Sequence, residues 1–100
     1  MSYQGVLVYA EQKNRQIHRV TYELLGKGRE LADQLGAQVY CVLMGPSDID
    51  AQELIYRGAD IVYYAEDDEI FQKPDELVYA RYLEDLIKRV KPEICILGAT

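Results

Sequence analysis

The sequence has no tryptophan, a single phenylalanine, one histidine and two cysteines, and none of its apolar runs approaches the roughly 18 to 20 residues that cross a bilayer. No basic stretch followed by an apolar core stands at the amino terminus, so neither a signal peptide nor direct membrane insertion is expected, and the chain reads as cytoplasmic. Positive charge is scarce too: 11 Lys and Arg against 17 Asp and Glu give a net charge of -6. Nucleic acid is therefore a poor partner, because affinity for it comes largely from cations that neutralise phosphates. Cys41 and Cys95 both fall inside strand-like runs, where a free cysteine behaves as a small hydrophobe, and they imply a reducing compartment rather than a site. His18 would need a partner to act as a general base, and no spacing in the sequence supplies one. The first apolar run is followed by E-Q-K-N-R-Q, which excludes both the G-x-G-x-x-G dinucleotide fingerprint and a Walker A loop at that point.

What is present is an alternation of strand-like and helical segments. Residues 5–11, G-V-L-V-Y-A-E, contain five consecutive apolar residues. A continuous run of this kind, instead of an alternating one, predicts a strand buried on both faces. Similar runs at 39–44, 61–65 and 94–97, each separated from the last by a helical pattern, predict an α/β fold with a Rossmann-like open parallel sheet and helices on both faces. Right-handed crossovers and a reversal after the third strand give the strand order 3-2-1-4. Cys41 and Cys95 would then flank the central strand at roughly 9 to 10 Å, beyond the ~7 Å reach of a disulfide. One hundred residues allow a single domain. The fourth strand lies so near residue 100 that the sequence reads as part of a longer, incomplete domain.

The first helix is expected over 17–35, with Ile17, Val20, Thr21, Leu24, Gly28, Leu31, Ala32 and Leu35 on the buried face. Gly28, at the middle of that stripe, reads as a close-approach residue. Gly26 lies on the solvent face, where it costs about 1 kcal/mol relative to alanine with no offset inside the chain. Residues 12–16 read as a polar loop carrying a small basic patch, Lys13 and Arg15. Asp50 with Glu53 fits a capping box for a short second helix that Gly58 closes. The third helix is expected over 75–91 with Leu77, Ala80, Leu83, Leu86, Ile87 and Val90 inward. The carboxylates at 66–69 lack the spaced oxygens and glycine of a calcium loop and read as solvated. Gly45-Pro46-Ser47 reads as a turn with nearby acidic residues rather than an anion site. Of the nine tyrosines, Tyr9, Tyr40, Tyr63 and Tyr64 are wall or edge candidates, and Tyr22, Tyr56, Tyr79 and Tyr82 are candidate interface anchors. No catalytic constellation and no metal set is found. The crevice where this fold would place a nucleotide, lined by Ala10, Glu11, Gly98 and Ala99, has a carboxylate at its mouth.

Four segments resemble the amino-terminal domain of the electron transfer flavoprotein alpha subunit. They are V-L-V-Y-A-E at 6–11, I-H-R-V-T-Y-E-L-L-G-K-G-R-E-L-A at 17–32, E-L-I-Y-R-G-A-D at 53–60 and K-P-E-I-C-I-L-G-A-T at 91–100. The resemblance implies a scaffold domain, not itself an enzyme, in a heterodimeric electron carrier. Its FAD would be held by a carboxy-terminal domain absent from these residues, so no cofactor-binding residue is expected within 1–100. The implied partners are a beta subunit holding AMP or a second FAD, flavoprotein dehydrogenases such as acyl-CoA dehydrogenases, and a membrane quinone reductase, or NADH in members that bifurcate electrons. The resemblance also gives Gly26, with Tyr22, a meaning as candidate interface residues. The alternative is a stand-alone nucleotide-binding module of the universal-stress type, whose phosphate loop would follow the fourth strand.

Overall fold

The computed structural model describes residues 5–13, 15–66 and 76–96. Its centre is β1 (Val6–Ala10), in which Val6, Leu7 and Val8 are fully buried, as a continuous apolar run demands of a strand covered on both sides. β1 pairs in parallel with β4 (Val39–Gly45) on one flank and β6 (Ile94–Ile96) on the other, and β4 pairs in parallel with β5 (Ile61–Glu66). The sheet order is β5-β4-β1-β6, which is the expected 3-2-1-4 order of the four main strands. Cys41 and Cys95 flank β1 as free thiols, opposite Val8 and Leu7. Cys41 is buried, but Cys95 is exposed rather than a core hydrophobe, because β6 is an edge strand of the described sheet.

Side chains alternate between two layers. Val6, Val8, Ala10, Val39, Cys41 and Leu43 face α1 (Arg19–Leu35) and α2 (Gln52–Tyr56), whose Leu25, Ala32 and Leu54 complete that core. Leu7, Val42 and Met44 face α3 (Glu76–Val90). A Cβ added at Gly28 would lie 3.0 Å from Val8 Cγ2, so the missing side chain is what lets α1 approach β1.

Several expectations change in detail. α1 begins at Arg19, not 17, and its buried residues are Thr21, Leu25, Gly28 and Ala32. Leu25 belongs to the stripe, whereas Leu35 is 47% exposed where the helix runs past the sheet. The capping box at Asp50 does not form. Ile49 is buried, the N-cap of α2 is Ala51 with no side-chain bond, and Glu53 instead pairs with Arg57 at 2.8 Å. Gly58 follows the short helix at φ +129°, a conformation that favours glycine. α3 is rotated relative to its expected stripe. Val78, Tyr79, Leu83, Leu86 and Ile87 pack on the sheet, while Ala80 is exposed and Leu77 is 77% exposed. Tyr79 turns inward because its ring buries well and its hydroxyl finds a partner in Gln12. Residues 67–69 of the acidic loop, and residue 75 at the expected start of α3, lie outside the described residues.

Candidate functional site

Ligands of open parallel sheets bind at the carboxyl ends of the strands. Here the carboxyl end of β4 is covered by the chain itself. The segment expected as a polar loop is an antiparallel ribbon of β2 (Gln12–Lys13) and β3 (Gln16–Ile17), with Arg15 in the left-handed region at φ 64°, as tight hairpin turns require. Gln12 Nε2 donates to Met44 O at 3.3 Å, and Gln12 Oε1 accepts from the Arg15 amide at 3.2 Å. The Arg15 Nε donates to Ser47 O at 3.0 Å. A Cβ at Gly45 would stand 2.6 Å from Ile49 Cδ1 and 3.0 Å from Gln12 Nε2, so a side chain there would make these two side-chain ends shift. Below the ribbon, Tyr64 donates its hydroxyl to Pro46 O in a short hydrogen bond and accepts from the Ile49 amide at 3.4 Å. Gly45-Pro46-Ser47 is therefore a turn held from both sides.

Two amides near the start of α1 are paired within the chain. The Glu11 amide donates to Thr21 Oγ1 at 3.2 Å, and the Val20 amide donates to His18 Nδ1 at 3.1 Å. Glu11 is half-buried at the mouth of the crevice behind fully buried Ala10, while Gly98 and Ala99 lie outside the described residues. A pyrophosphate needs free amides or cations at this place. No group of three or more His, Cys, Asp or Glu that could hold a metal ion occurs among the described residues. Burial pushes the Cys41 thiol up to about 12, which makes it inert as a nucleophile. Burial, then the nearby Tyr79 and Glu11, push Tyr9 up to about 12.

The two candidate interface residues lie on α1. Gly26 is exposed, and a Cβ built there meets nothing within 4 Å, so its outward face is open. Tyr22 is half-buried, with the Arg57 guanidinium 4.5 Å from its ring centroid. Burial, followed by the charge of Glu53, raises its pKa. Tyr56 of α2 is the most exposed of the anchor candidates at 77%, whereas Tyr79 is committed to the core.

The spacing arguments missed one polar cluster. Arg29 Nη1 reaches Asp60 Oδ2 at 2.9 Å and Gly58 O at 3.2 Å, and its Nε reaches Asp33 Oδ1 at 3.0 Å. The same Asp60 oxygen accepts from the Val39 amide at 2.8 Å. Burial works against the Asp60 carboxylate, but the Val39 amide and Arg29 outweigh it and lower its pKa. The i, i+4 spacing of Arg29 and Asp33 was legible in the sequence, while Asp60, 31 residues away, was not. The cluster ties α1 to the amino ends of β4 and β5, opposite the ligand end, so its role is structural.

Fold and site together define an open, doubly wound α/β domain whose own hairpin is bonded to the carboxyl end of β4 and the turn after it. Residues 6–100 match the family described as electron transfer flavoprotein domain. The electron transfer flavoprotein subunit alpha of Clostridium acetobutylicum is 40% identical over 99 residues, which is 98% of this chain and 29% of that protein. A protein of Acetobacterium woodii named lactate dehydrogenase (NAD(+),ferredoxin) subunit LctC is 43% identical over 104 residues, covering 98% of this chain and 23% of that one. Protein FixB of Azorhizobium caulinodans is 38% identical over 103 residues, 99% of this chain and 28% of FixB. The chain belongs to the electron transfer flavoprotein family, and it spans less than a third of the length of these relatives. This match displaces the universal-stress-type alternative. No helix among the described residues is long and apolar enough to cross a membrane.

Proposed function

We propose that residues 1–100 form the amino-terminal scaffold domain of an alpha subunit in a cytoplasmic, heterodimeric electron carrier. FAD is held by a part of the subunit outside these residues, and AMP or a second FAD by the beta subunit. The observation that carries this reading is the hairpin bonded over the carboxyl end of β4 in a chain that matches the family over residues 6–100. A domain that keeps the nucleotide-binding fold but covers part of its ligand end with its own chain is suited to packing rather than to cofactor chemistry. Gly26 and Tyr22 are the proposed contact with the beta subunit, since an open glycine on an outer helix face admits another backbone closely. The test is to co-purify the full-length protein with its neighbouring gene product, wild type and with Gly26→Arg. The expected result is a yellow heterodimer that Gly26→Arg weakens at least tenfold with the alpha subunit still folded. A colourless wild-type complex, or unchanged affinity, overturns the respective half of the reading. Micromolar binding of AMP, ATP or FAD that disappears on Lys13→Glu or Arg15→Glu would return the cofactor to this domain.

Two finer roles fit the family. One passes electrons from dehydrogenases such as acyl-CoA dehydrogenases to a quinone reductase, and the other bifurcates electrons from NADH. The LctC relative, whose name joins NAD(+) and ferredoxin, favours the second. Anaerobic NADH oxidation that requires ferredoxin supports bifurcation, and ferredoxin-independent transfer to a quinone reductase supports the simple shuttle.

A further inference from the structure

Positive charge is unevenly placed along the chain. Residues 12–22 carry Lys13, Arg15 and Arg19 and no Asp or Glu, although 17 acidic residues outnumber 11 Lys and Arg overall. All three cations are exposed, and the fold gathers them where the ribbon meets α1. Lys13 stands in β2 opposite Gln16 of β3, Arg15 sits at the turn with its Nε on Ser47 O at 3.0 Å, and Arg19 opens α1. The His18 amide donates to Glu11 O at 2.7 Å and so ties the base of the ribbon to the start of the helix. Among the described residues, Lys27, Arg29, Arg57, Lys88 and Arg89 each pair with a carboxylate at 2.8 to 3.9 Å, whereas neither Lys13 nor Arg19 has such a partner. Glu11 and Glu23, the acidic residues that flank the segment, form no ion pair with either. The first turn of α1 holds no acidic residue, so the positive end of its dipole adds to the same sign.

Arg19 and Gly26 stand seven residues apart on the outer face of α1, about two turns along one line, so the cations border the face assigned above to the subunit contact. We propose that Lys13, Arg15 and Arg19 form a charged rim of that contact and receive an acidic patch of the beta subunit, an inference that rests on the reading of the Gly26 face as the contact. Three like charges held near one another repel, and carboxylates brought in by a partner relieve that repulsion while fixing the register of docking. The acidic excess over the rest of the chain disfavours an extended polyanion such as nucleic acid, which would lie across more than this corner. A compact acidic patch on a protein meets the cations alone. Because the cations are exposed, their attraction is strong at low ionic strength and screened as the Debye length falls to about 8 Å and below.

The test is the dissociation constant of the purified full-length heterodimer, read by dilution of the fluorescently labelled complex at about 20 mM and about 300 mM NaCl. Wild type is compared with a double variant, Lys13→Gln with Arg19→Gln, and with Gly26→Leu, which fills the open face without adding charge. Thermal melts check that both variants stay folded, as substitutions at exposed positions should. Wild type is expected to bind about tenfold more weakly at the higher salt, and the double variant to be about tenfold weaker than wild type at the lower salt with little salt dependence left. Gly26→Leu is expected to weaken binding by the same factor at both salts. A double variant that keeps the wild-type affinity and salt dependence overturns the proposal, and a weakened Gly26→Leu complex in the same experiment leaves the contact itself standing. A wild type that forms no complex, or Gly26→Leu binding as wild type does, removes the contact and the rim with it. Saturable binding of a short duplex DNA to the wild-type heterodimer, lost in the double variant, would assign the cations to nucleic acid and overturn the proposal as well.

Discussion

The two faces of the sheet are packed in different ways. The α1–α2 face holds a core of eleven buried residues, into which α1 lowers Gly28 and Ala32 so that its backbone lies close to β1. The α3 face has three, Leu7, Val42 and Met44, and no described residue of α3 is fully buried. The cause is side-chain size. α3 presents Tyr79, Leu83, Leu86 and Ile87, which stand its backbone off the sheet and leave a cleft of about 270 Å³ beside β5, lined in part by Met44, Tyr63, Tyr82 and Arg89. Small residues allow one helix to dock tightly, and large ones hold the other as a looser cover.

The sharpest test of that contrast is a matched pair of truncations. Leu25→Ala, which removes a fully buried side chain beneath α1, is expected to cost about 3 kcal/mol, and Leu83→Ala in half-buried α3 about 1 kcal/mol, both read by denaturant unfolding. Equal losses would mean that the two faces are packed alike. Next in size is the Arg29–Asp60 link that fastens the tight face. Asp60→Ala should cost about 2 kcal/mol by leaving the Val39 amide and Arg29 without their shared acceptor. Because the Asp60 pKa is lowered in the folded state, its contribution is fully present above the ordinary carboxylate range and is lost as pH falls through the lowered value. Asp60→Asn should flatten that acid limb, and an unaltered acid transition would remove Asp60 from the account.

The smallest effect is a gain. Gly26→Ala adds a methyl into open space on the outer face of α1 and should raise stability by about 0.5 to 1 kcal/mol in thermal melts of the protein without its partner. If the glycine serves a contact, the same change should weaken the heterodimer. Added stability with unchanged assembly would leave Gly26 with no role in the interface.

By itself the sequence determined the sheet, its order and the close approach of α1 at Gly28, because these follow from regularities of pattern. Continuous apolar runs dictate strands buried on both sides, and Gly28 in the middle of a helical stripe dictates close approach. It also excluded the glycine-loop nucleotide sites, since the backbone approach they need is absent from residues 11–16. Tertiary structure alone decided the rest. The ribbon exists because Gly45, Ser47 and Tyr79, all far along the chain, accept or make room for Gln12 and Arg15. Tyr79 rather than Leu77 faces the sheet because an amphipathic ring satisfies a hydroxyl and buries its body in one place, a choice that periodicity cannot make. Asp60 and Arg29 join because two strands and a helix end together, and a hydrogen bond that links residues 31 apart leaves no periodic trace in the sequence.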